Sequence, residues 1–299
     1  MFAKVTAWLL LSAACATSVQ AASAPPYLLE GTEVRTIHAP ALQRDYQIFV
    51  SLPNGYATST RRYPVLFVTD ANYAFPMIRS IAARAGRKGA GIADFILVGL
   101  SYGLGDTPEY SRRRDYTPSG HAQPMVSDMP GRPARFGEAD GYQRFLADSV
   151  LPLVAATYRA DMRHTVFVGH SYGSLLGMNV LLTQPDLFSH YILGSPSLWF
   201  DHRLMFKREQ DYATQHRDLP ANVYFAVGGF ETIKPGSKNP RYAQPGDDDM
   251  VRDLLAFTQA LKSRHYPGLR MATAVIADED HLTVAPAIFT RGLFWALPP

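Results

Sequence analysis

Residues 167–173 are the feature that most constrains how this 299-residue chain can fold. They run from an apolar strand into a Gly-x-Ser-x-Gly turn centred on Ser171, and residues 174–182 then have the apolar pattern of a helix. A sharp turn between a strand and a helix lifts the serine hydroxyl out of the sheet edge, and its small residues let the two elements approach closely. The strand before and the helix after therefore favour a serine nucleophile over a Gly-Ser loop without a chemical role.

Strand-like and helical segments alternate along the rest of the chain. Several strands are almost continuously apolar, which is typical of a sheet buried on both faces. The first two strands are predicted to form an antiparallel pair, and the later alternation predicts parallel pairing. The fold class is therefore α/β: an α/β-hydrolase fold with a doubly wound, mostly parallel sheet and helices on both faces, formed as one domain by residues 25–299. The predicted strands are 33–37, 45–52, 63–70, 95–100, 165–168, 191–194, 222–227 and 271–276, and the further predicted helices are 76–85, 141–158, 250–264 and 286–295.

Two long segments, residues 101–140 and 234–249, interrupt this alternation with Pro, Gly and charged residues and little periodicity. Long loops in a compact domain are usually functional or disordered. Both segments follow the carboxyl ends of predicted strands, where ligands bind to open α/β sheets. We therefore expect both loops to border a binding site.

The N-terminal residues 1–24 are predicted to be a cleaved signal peptide. A positive start with Lys4 precedes an apolar run over residues 5–16, which is too short to span a membrane. The protein is therefore expected to be periplasmic or secreted, without stable membrane insertion after cleavage. The single cysteine, Cys15, lies in this segment, so the mature chain is expected to have no disulfide and no cysteine metal site. Lipoprotein anchoring at Cys15 is disfavoured because Ser12 stands where a leucine would be expected.

A serine nucleophile needs a base and an acid that orients it, and on this fold they follow in the order Ser, Asp/Glu, His. His281 lies on the loop after the last predicted strand, where the base is expected; the alternative is a surface histidine among acids. Glu231 follows the strand before the last and is favoured as the orienting acid. The acidic runs 247–249 and 278–280 remain rivals, although they fit solvated loops and helix starts.

Acyl transfer also requires two N–H donors for the developing oxyanion. One is expected from the amide of Tyr172, directly after the nucleophile. The other is assigned to the amide of Asn72, with Ala71 left open, and the alternative is that residues 70–72 form only a turn. This chemistry requires no metal and no organic cofactor, and its partner is a small-molecule ester. The net charge of +3 is too small and scattered for a nucleic-acid partner.

Four segments resemble the putative-esterase family of α/β-hydrolases, which includes esterase D and the enterochelin and salmochelin esterases. They are residues 63–72, the Gly-His-Ser-Tyr-Gly turn, the Ser-Pro-Ser-Leu-Trp-Phe run at 195–200, and the late Asp280-His281 pair. The Ser-Pro-Ser-Leu-Trp run and residues 114–118 point to the salmochelin-esterase-like branch. This resemblance implies hydrolysis of a catecholate siderophore ester, or a similar acyl ester, in the bacterial periplasm. Some members of that branch are described as using a Ser–His dyad, which leaves the role of Glu231 open.

The resemblance also gives a functional interpretation to four further residues. Arg112, Arg113 and Arg114 could meet an anionic or catecholate substrate by charge and stacking, although a solvated loop explains them equally well. Trp199, together with Tyr172, could form the wall of an aromatic pocket, or Trp199 could only pack in the core. Two other functions stay open: an acyltransferase of the same fold, and a catalytically silent ligand-binding module.

Overall fold

The computed structural model describes residues 24–25, 27–86, 91–120, 127–246 and 248–299. The predicted signal peptide therefore lies outside the described residues, apart from residue 24. Contacts along the chain separate residues 1–30 from residues 31–299, and every helix and strand described belongs to the second unit. In the described part of the chain, no helix is both long enough and apolar enough to cross a membrane.

The described residues form one eight-stranded sheet in the order β1-β2-β4-β3-β5-β6-β7-β8. Strands β1 and β2 pair antiparallel, β2 pairs antiparallel with β4, and all later pairs are parallel. This topology confirms the α/β-hydrolase fold. The strands are β1 (Thr32–Ala39), β2 (Arg44–Ser51), β3 (Tyr63–Val68), β4 (Ile96–Gly103), β5 (Ala160–His170), β6 (His190–Gly194), β7 (Asn222–Gly228) and β8 (Arg270–Ile276).

Helices cover both faces of the sheet because the central strands are apolar on both sides. Alternate residues of a strand point to opposite faces. In β3, Val65 and Phe67 join the core that contains Leu175, while Leu66 and Val68 lie outside that cluster although they are equally buried. The helices are α1 (Ala71–Ala85), α2 (Pro108–Tyr116), α3 (Ala139–Phe145), α4 (Leu151–Thr157), α5 (Tyr172–Thr183), α6 (Phe200–Gln215), α7 (Met250–Ser263) and α8 (Ala285–Ala296).

Helices α2 and α6 correct the sequence-based prediction, which assigned no helix to either segment. Helix α2 lies within the stretch expected to be irregular. Its start is fixed by Pro108 at the first helical position and by the Thr107 hydroxyl, which accepts a hydrogen bond of 3.3 Å from the Tyr110 amide. The predicted helix 141–158 is present as α3 and α4, joined by a π-helical turn at Leu146–Val150.

Candidate active site

Ser171 lies at a strained turn between β5 and α5, as the sequence predicts. Its backbone dihedrals are φ 58° and ψ −119°, a region that residues with a side chain rarely adopt. The turn is held because the Ser171 amide donates to the Gly194 carbonyl at 3.0 Å, and the Leu175 amide donates to the Ser171 carbonyl at 3.0 Å. The chain is therefore fixed on both sides of the serine hydroxyl.

The two glycines of the turn are required by close backbone contact. A Cβ atom at Gly169 would lie 2.6 Å from the Ser174 amide nitrogen, and one at Gly173 would overlap the Thr69 hydroxyl. Gly169 therefore lets strand β5 and helix α5 approach this closely, and Gly173 lets the start of α5 lie against Thr69, directly after β3.

Glu231 and His281 form the second part of the site. Glu231 follows β7, and His281 lies on the turn between β8 and α8. The Nδ1 of His281 is 2.6 Å from Oε2 of Glu231, and the other carboxylate oxygen accepts hydrogen bonds from the Ser195 hydroxyl (2.6 Å) and the Gly228 amide (2.7 Å). Glu231 is buried, with 5% of the residue exposed. A carboxylate fixed in this way holds Nδ1 protonated and leaves Nε2 of His281 free to accept a proton.

The structure places two of the rival acids, Asp249 and Asp280, in other bonds. The Asp249 carboxylate caps helix α7, where it accepts from the Arg252 amide at 2.9 Å. Asp280 forms an ion pair with Arg241 at 2.8 Å. Asp247 lies outside the described residues. Of the acids considered, the structure therefore brings Glu231 to the histidine.

Ser171 and His281 line two cavities that meet at these side chains. The larger has a volume of about 740 Å³ and the smaller about 390 Å³, and Leu282 also borders both. In the described part of the chain, the Ser171 hydroxyl makes its side-chain hydrogen bond with Ser197, at 3.4 Å, and not with His281. Catalytic hydrogen bonds are often long without substrate and tighten when it binds, so this geometry is compatible with His281 as the base.

His170 is a site residue that sequence reasoning missed. It directly precedes Ser171 and is too close in sequence to act as the base of that serine. In the structure its ring packs against the ring of His281, with a centroid distance of 4.7 Å. Burial, followed by the charges of His281 and Arg112, lowers the pKa of His170 to about 3, so this ring is neutral at pH 7. The only available sequence signal was its position at the end of the strand before Ser171.

The expected oxyanion donors both lie in the first turn of a helix. Tyr172 is the first residue of α5 and Asn72 the second residue of α1. Backbone N–H groups in a first turn have no acceptor within their own helix and remain available to a ligand. Asn72 lines the smaller cavity together with Ser171. Its role, and the alternative of Ala71, remain predictions.

The three arginines lie on helix α2, so the interpretation as a solvated loop is wrong. Arg112 lines the smaller cavity, and its guanidinium bonds both carboxylate oxygens of Asp70 at 3.1 and 3.2 Å. Burial disfavours the charge of Arg112, but Asp70 raises its pKa above the ordinary value overall. The guanidinium also lies 5.5 Å from the ring centroid of Tyr172. Arg112 is therefore charged and next to the nucleophile, and its contact with a substrate stays a prediction.

Arg113 and Arg114 are engaged in other ion pairs. Arg113 pairs with Asp128. Arg114 is 3% exposed and pairs with Asp106 and Asp115, each at 2.8 Å. Neither arginine is among the residues that line the two cavities at Ser171. The structure thus brings only Arg112 of this cluster to the site.

Trp199 lines the larger cavity with two other aromatic residues, Phe230 and Tyr242. Its ring centroid is 5.9 Å from that of Tyr172. Its side chain is half-buried and does not lie in the closed core. The larger cavity therefore has aromatic walls. Among the residues described, no group of three or more His, Cys, Asp or Glu side chains is placed to hold a metal ion.

The fold and the strand–serine–helix turn define the chain as an α/β-hydrolase. Residues 39–236 match the family described as putative esterase, and the chain belongs to this family. It is 29% identical to the ferri-bacillibactin esterase BesA of Bacillus subtilis, over 91% of this chain and 92% of that one. It is 30% identical to a siderophore triacetylfusarinine C esterase of Aspergillus fumigatus, over 77% and 80%. The structure of the BES protein from Bacillus cereus superposes with a TM-score of 0.75 at 21% identity, covering 93% of this chain and 100% of that chain.

These relationships confirm the family resemblance seen in the sequence, and the protein is a carboxylic ester hydrolase.

Proposed function

We propose that the protein is an exported serine esterase that hydrolyses siderophore esters through an acyl-enzyme on Ser171. The observation that carries the proposal is the 2.6 Å contact between His281 and the buried Glu231 carboxylate, at a cavity that also contains Ser171. A serine, a histidine and a carboxylate in these relative positions form the constellation that recurs in acyl transfer on this fold.

The reaction proceeds in two halves. The Ser171 oxygen attacks the ester carbonyl while Nε2 of His281 takes the hydroxyl proton. The carbonyl oxygen becomes an oxyanion that the amides of Tyr172 and Asn72 stabilise. The intermediate expels the alcohol, which receives the proton from His281. A water molecule, deprotonated by His281, then attacks the acyl-enzyme and releases the acid and the free serine.

The proposed substrate class rests on the relatives and on the shape of the larger cavity. One relative is named a ferri-bacillibactin esterase and another a siderophore triacetylfusarinine C esterase. A cavity of about 740 Å³ with Trp199, Phe230 and Tyr242 on its walls accommodates flat aromatic groups. We therefore propose an ester that carries aryl groups, such as a catecholate siderophore ester or a similar aryl or acyl ester.

A hydrolysis assay of Ser171→Ala against the wild type tests the mechanism. The substrates are p-nitrophenyl butyrate and a metal-free tris-catecholate trilactone, with products identified by mass spectrometry. The control is Ser263→Ala, which removes an exposed hydroxyl bonded to the Ala260 carbonyl. We expect Ser263→Ala to match the wild type and Ser171→Ala to lose at least 10³-fold in kcat, as for other members of a catalytic triad. Activity of Ser171→Ala above 10% of wild type would refute the mechanism.

Two alternatives and the export step have their own tests. An acyltransferase would transfer the acyl group to an added alcohol such as glycerol in preference to water. A silent binding module would bind the trilactone without turnover and would not be labelled by a fluorophosphonate.

Export predicts that the protein recovered from a Gram-negative host lies in the periplasmic or medium fraction and has lost about 24 residues.

A further inference from the structure

The turn that carries His281 is held mainly by hydrogen bonds. The Oδ1 of Asp280 accepts from the amides of Leu282 (3.0 Å) and Thr283 (3.1 Å), and the Asp280 amide donates to the Thr283 hydroxyl at 3.1 Å. The side chain of His281 is 36% exposed, and Leu282 is 89% exposed. The turn is therefore partly open to solvent, and hydrogen bonds to its neighbours help to fix the position of His281, beside the ring contact with His170.

Arg241 reaches this turn from the strap, residues 234–246, which leads from β7 towards α7. Its Nε donates to Oδ2 of Asp280 at 2.8 Å, and its Nη2 donates to the Thr283 hydroxyl at 3.1 Å. Burial disfavours the Asp280 charge, but the hydrogen bonds from Arg241 and from the Leu282 and Thr283 amides hold the pKa of Asp280 below its ordinary value. Asp280 is therefore ionised at neutral pH, and Arg241 contacts the turn at two points, the Asp280 carboxylate and the Thr283 hydroxyl.

The same guanidinium also contacts the loop that carries the acid. It lies over the ring of Phe230, 4.6 Å from its centroid, and Phe230 directly precedes Glu231. The strap is anchored there by the Ala243 amide, which donates to the Phe230 carbonyl at 3.0 Å. The Tyr242 ring packs edge-on against the Phe230 ring at 4.8 Å. One side chain thus joins the Glu231 loop to the His281 turn.

We propose that Arg241 is a positioning residue that sets the geometry between Glu231 and His281. The inference rests on the proposed function, because the proposed mechanism uses the Glu231–His281 pair to activate Ser171. A displacement of 1 Å at a catalytic group can cost about 10²-fold in rate. Arg241 is one of several restraints, so its loss should cost less, about tenfold in kcat.

The experiment compares Arg241→Met and Arg241→Lys with the wild type on p-nitrophenyl butyrate, a small ester that has no anionic group to pair with a guanidinium. Each preparation is normalised by fluorophosphonate titration, so that a lower fraction of folded protein does not lower kcat. The matched control is Arg163→Met, because Arg163 is an exposed arginine that pairs with Asp161 at 3.0 Å on β5. We expect Arg241→Met to lower kcat about tenfold with KM within twofold, Arg241→Lys to recover part of it, and the control to equal the wild type.

A second comparison separates positioning from substrate contact. In a Glu231→Gln background the pair is already disrupted, so Arg241→Met should add less than a twofold loss. An equal tenfold loss in both backgrounds, a raised KM with unchanged kcat, or wild-type kinetics of Arg241→Met would each overturn the proposal. These outcomes leave the proposed function intact as long as Ser171→Ala is inactive, whereas an active Ser171→Ala overturns that function itself.

Discussion

Replacing Arg112 by methionine should destabilise the fold strongly, because it leaves a carboxylate buried without its counter-charge. Asp70 is fully buried, at 0% exposure. Its carboxylate accepts two hydrogen bonds from Arg112, at 3.1 and 3.2 Å, and one from the Tyr102 hydroxyl at 2.9 Å. Methionine retains most of the side-chain volume, so the substitution removes the charge and both donors with little loss of packing.

The expected magnitude follows from these contacts. Removing one partner of a buried ion pair costs about 3–5 kcal/mol in the free energy of unfolding. Two hydrogen bonds to a charged group, at about 1.5–3 kcal/mol each, give a similar range. The Tyr102 hydroxyl still donates to the Asp70 carboxylate in the variant, which limits the loss in the free energy of unfolding. The double variant Asp70→Asn/Arg112→Met buries a neutral amide instead of a charge, and we expect it to recover about 2 kcal/mol or more.

Urea unfolding at pH 7.5, followed by tryptophan fluorescence and far-UV circular dichroism, measures both values. With a denaturant slope of about 3 kcal/mol/M, the single variant should unfold at a urea concentration lower by about 1–1.7 M. The matched control is Arg203→Met, which removes an arginine that pairs with the buried Asp253 at 2.7 Å but is itself 49% exposed, and it should cost less. A destabilisation of Arg112→Met below 1 kcal/mol, or a double variant no more stable than the single, would refute this account of the Asp70 charge.

Three further outcomes follow from the site. Glu231→Gln should lower kcat for p-nitrophenyl butyrate by about 10²–10⁴-fold with KM little changed, whereas retention of a third of the activity would indicate that a Ser–His dyad suffices. Because the pKa of His170 is lowered to about 3 in the folded protein, the unfolded chain takes up a proton at this residue first as the pH falls below 6.5. The free energy of unfolding that is present above pH 6.5 should therefore fall by about 1.4 kcal/mol per pH unit below it. Urea unfolding at pH 7.5 and at pH 5 should show that His170→Phe loses about 2 kcal/mol less stability between these two pH values than the wild type does. Trp199→Ala should raise KM for aryl-bearing esters at least fivefold while leaving acetyl esters within twofold, and equal changes for both would contradict an aromatic subsite.

The strands and the Glu231–His281 pair could be predicted because their signals are local or topological. A strand buried on both faces is apolar throughout, as in β3, and chain order alone places an acid and a histidine after the last two strands. Helix α2 could not be predicted in this way, because its charged face is buried by ion pairs such as Arg114 with Asp106. The contact of His170 with His281 joins residues 111 positions apart, and the periodicity of the sequence does not predict a contact over such a separation.

The position of Ser171 and His281 between two cavities has a consequence for how selectivity can change. The two sides of the scissile ester can be held by different side chains: one set contains Trp199 and Phe230, the other Tyr73 and Arg112. A substitution in one set can alter the preference for one product fragment without disturbing recognition of the other. Selectivity for the acid part and for the alcohol part of an ester can therefore change separately, while Ser171 and His281 stay the same.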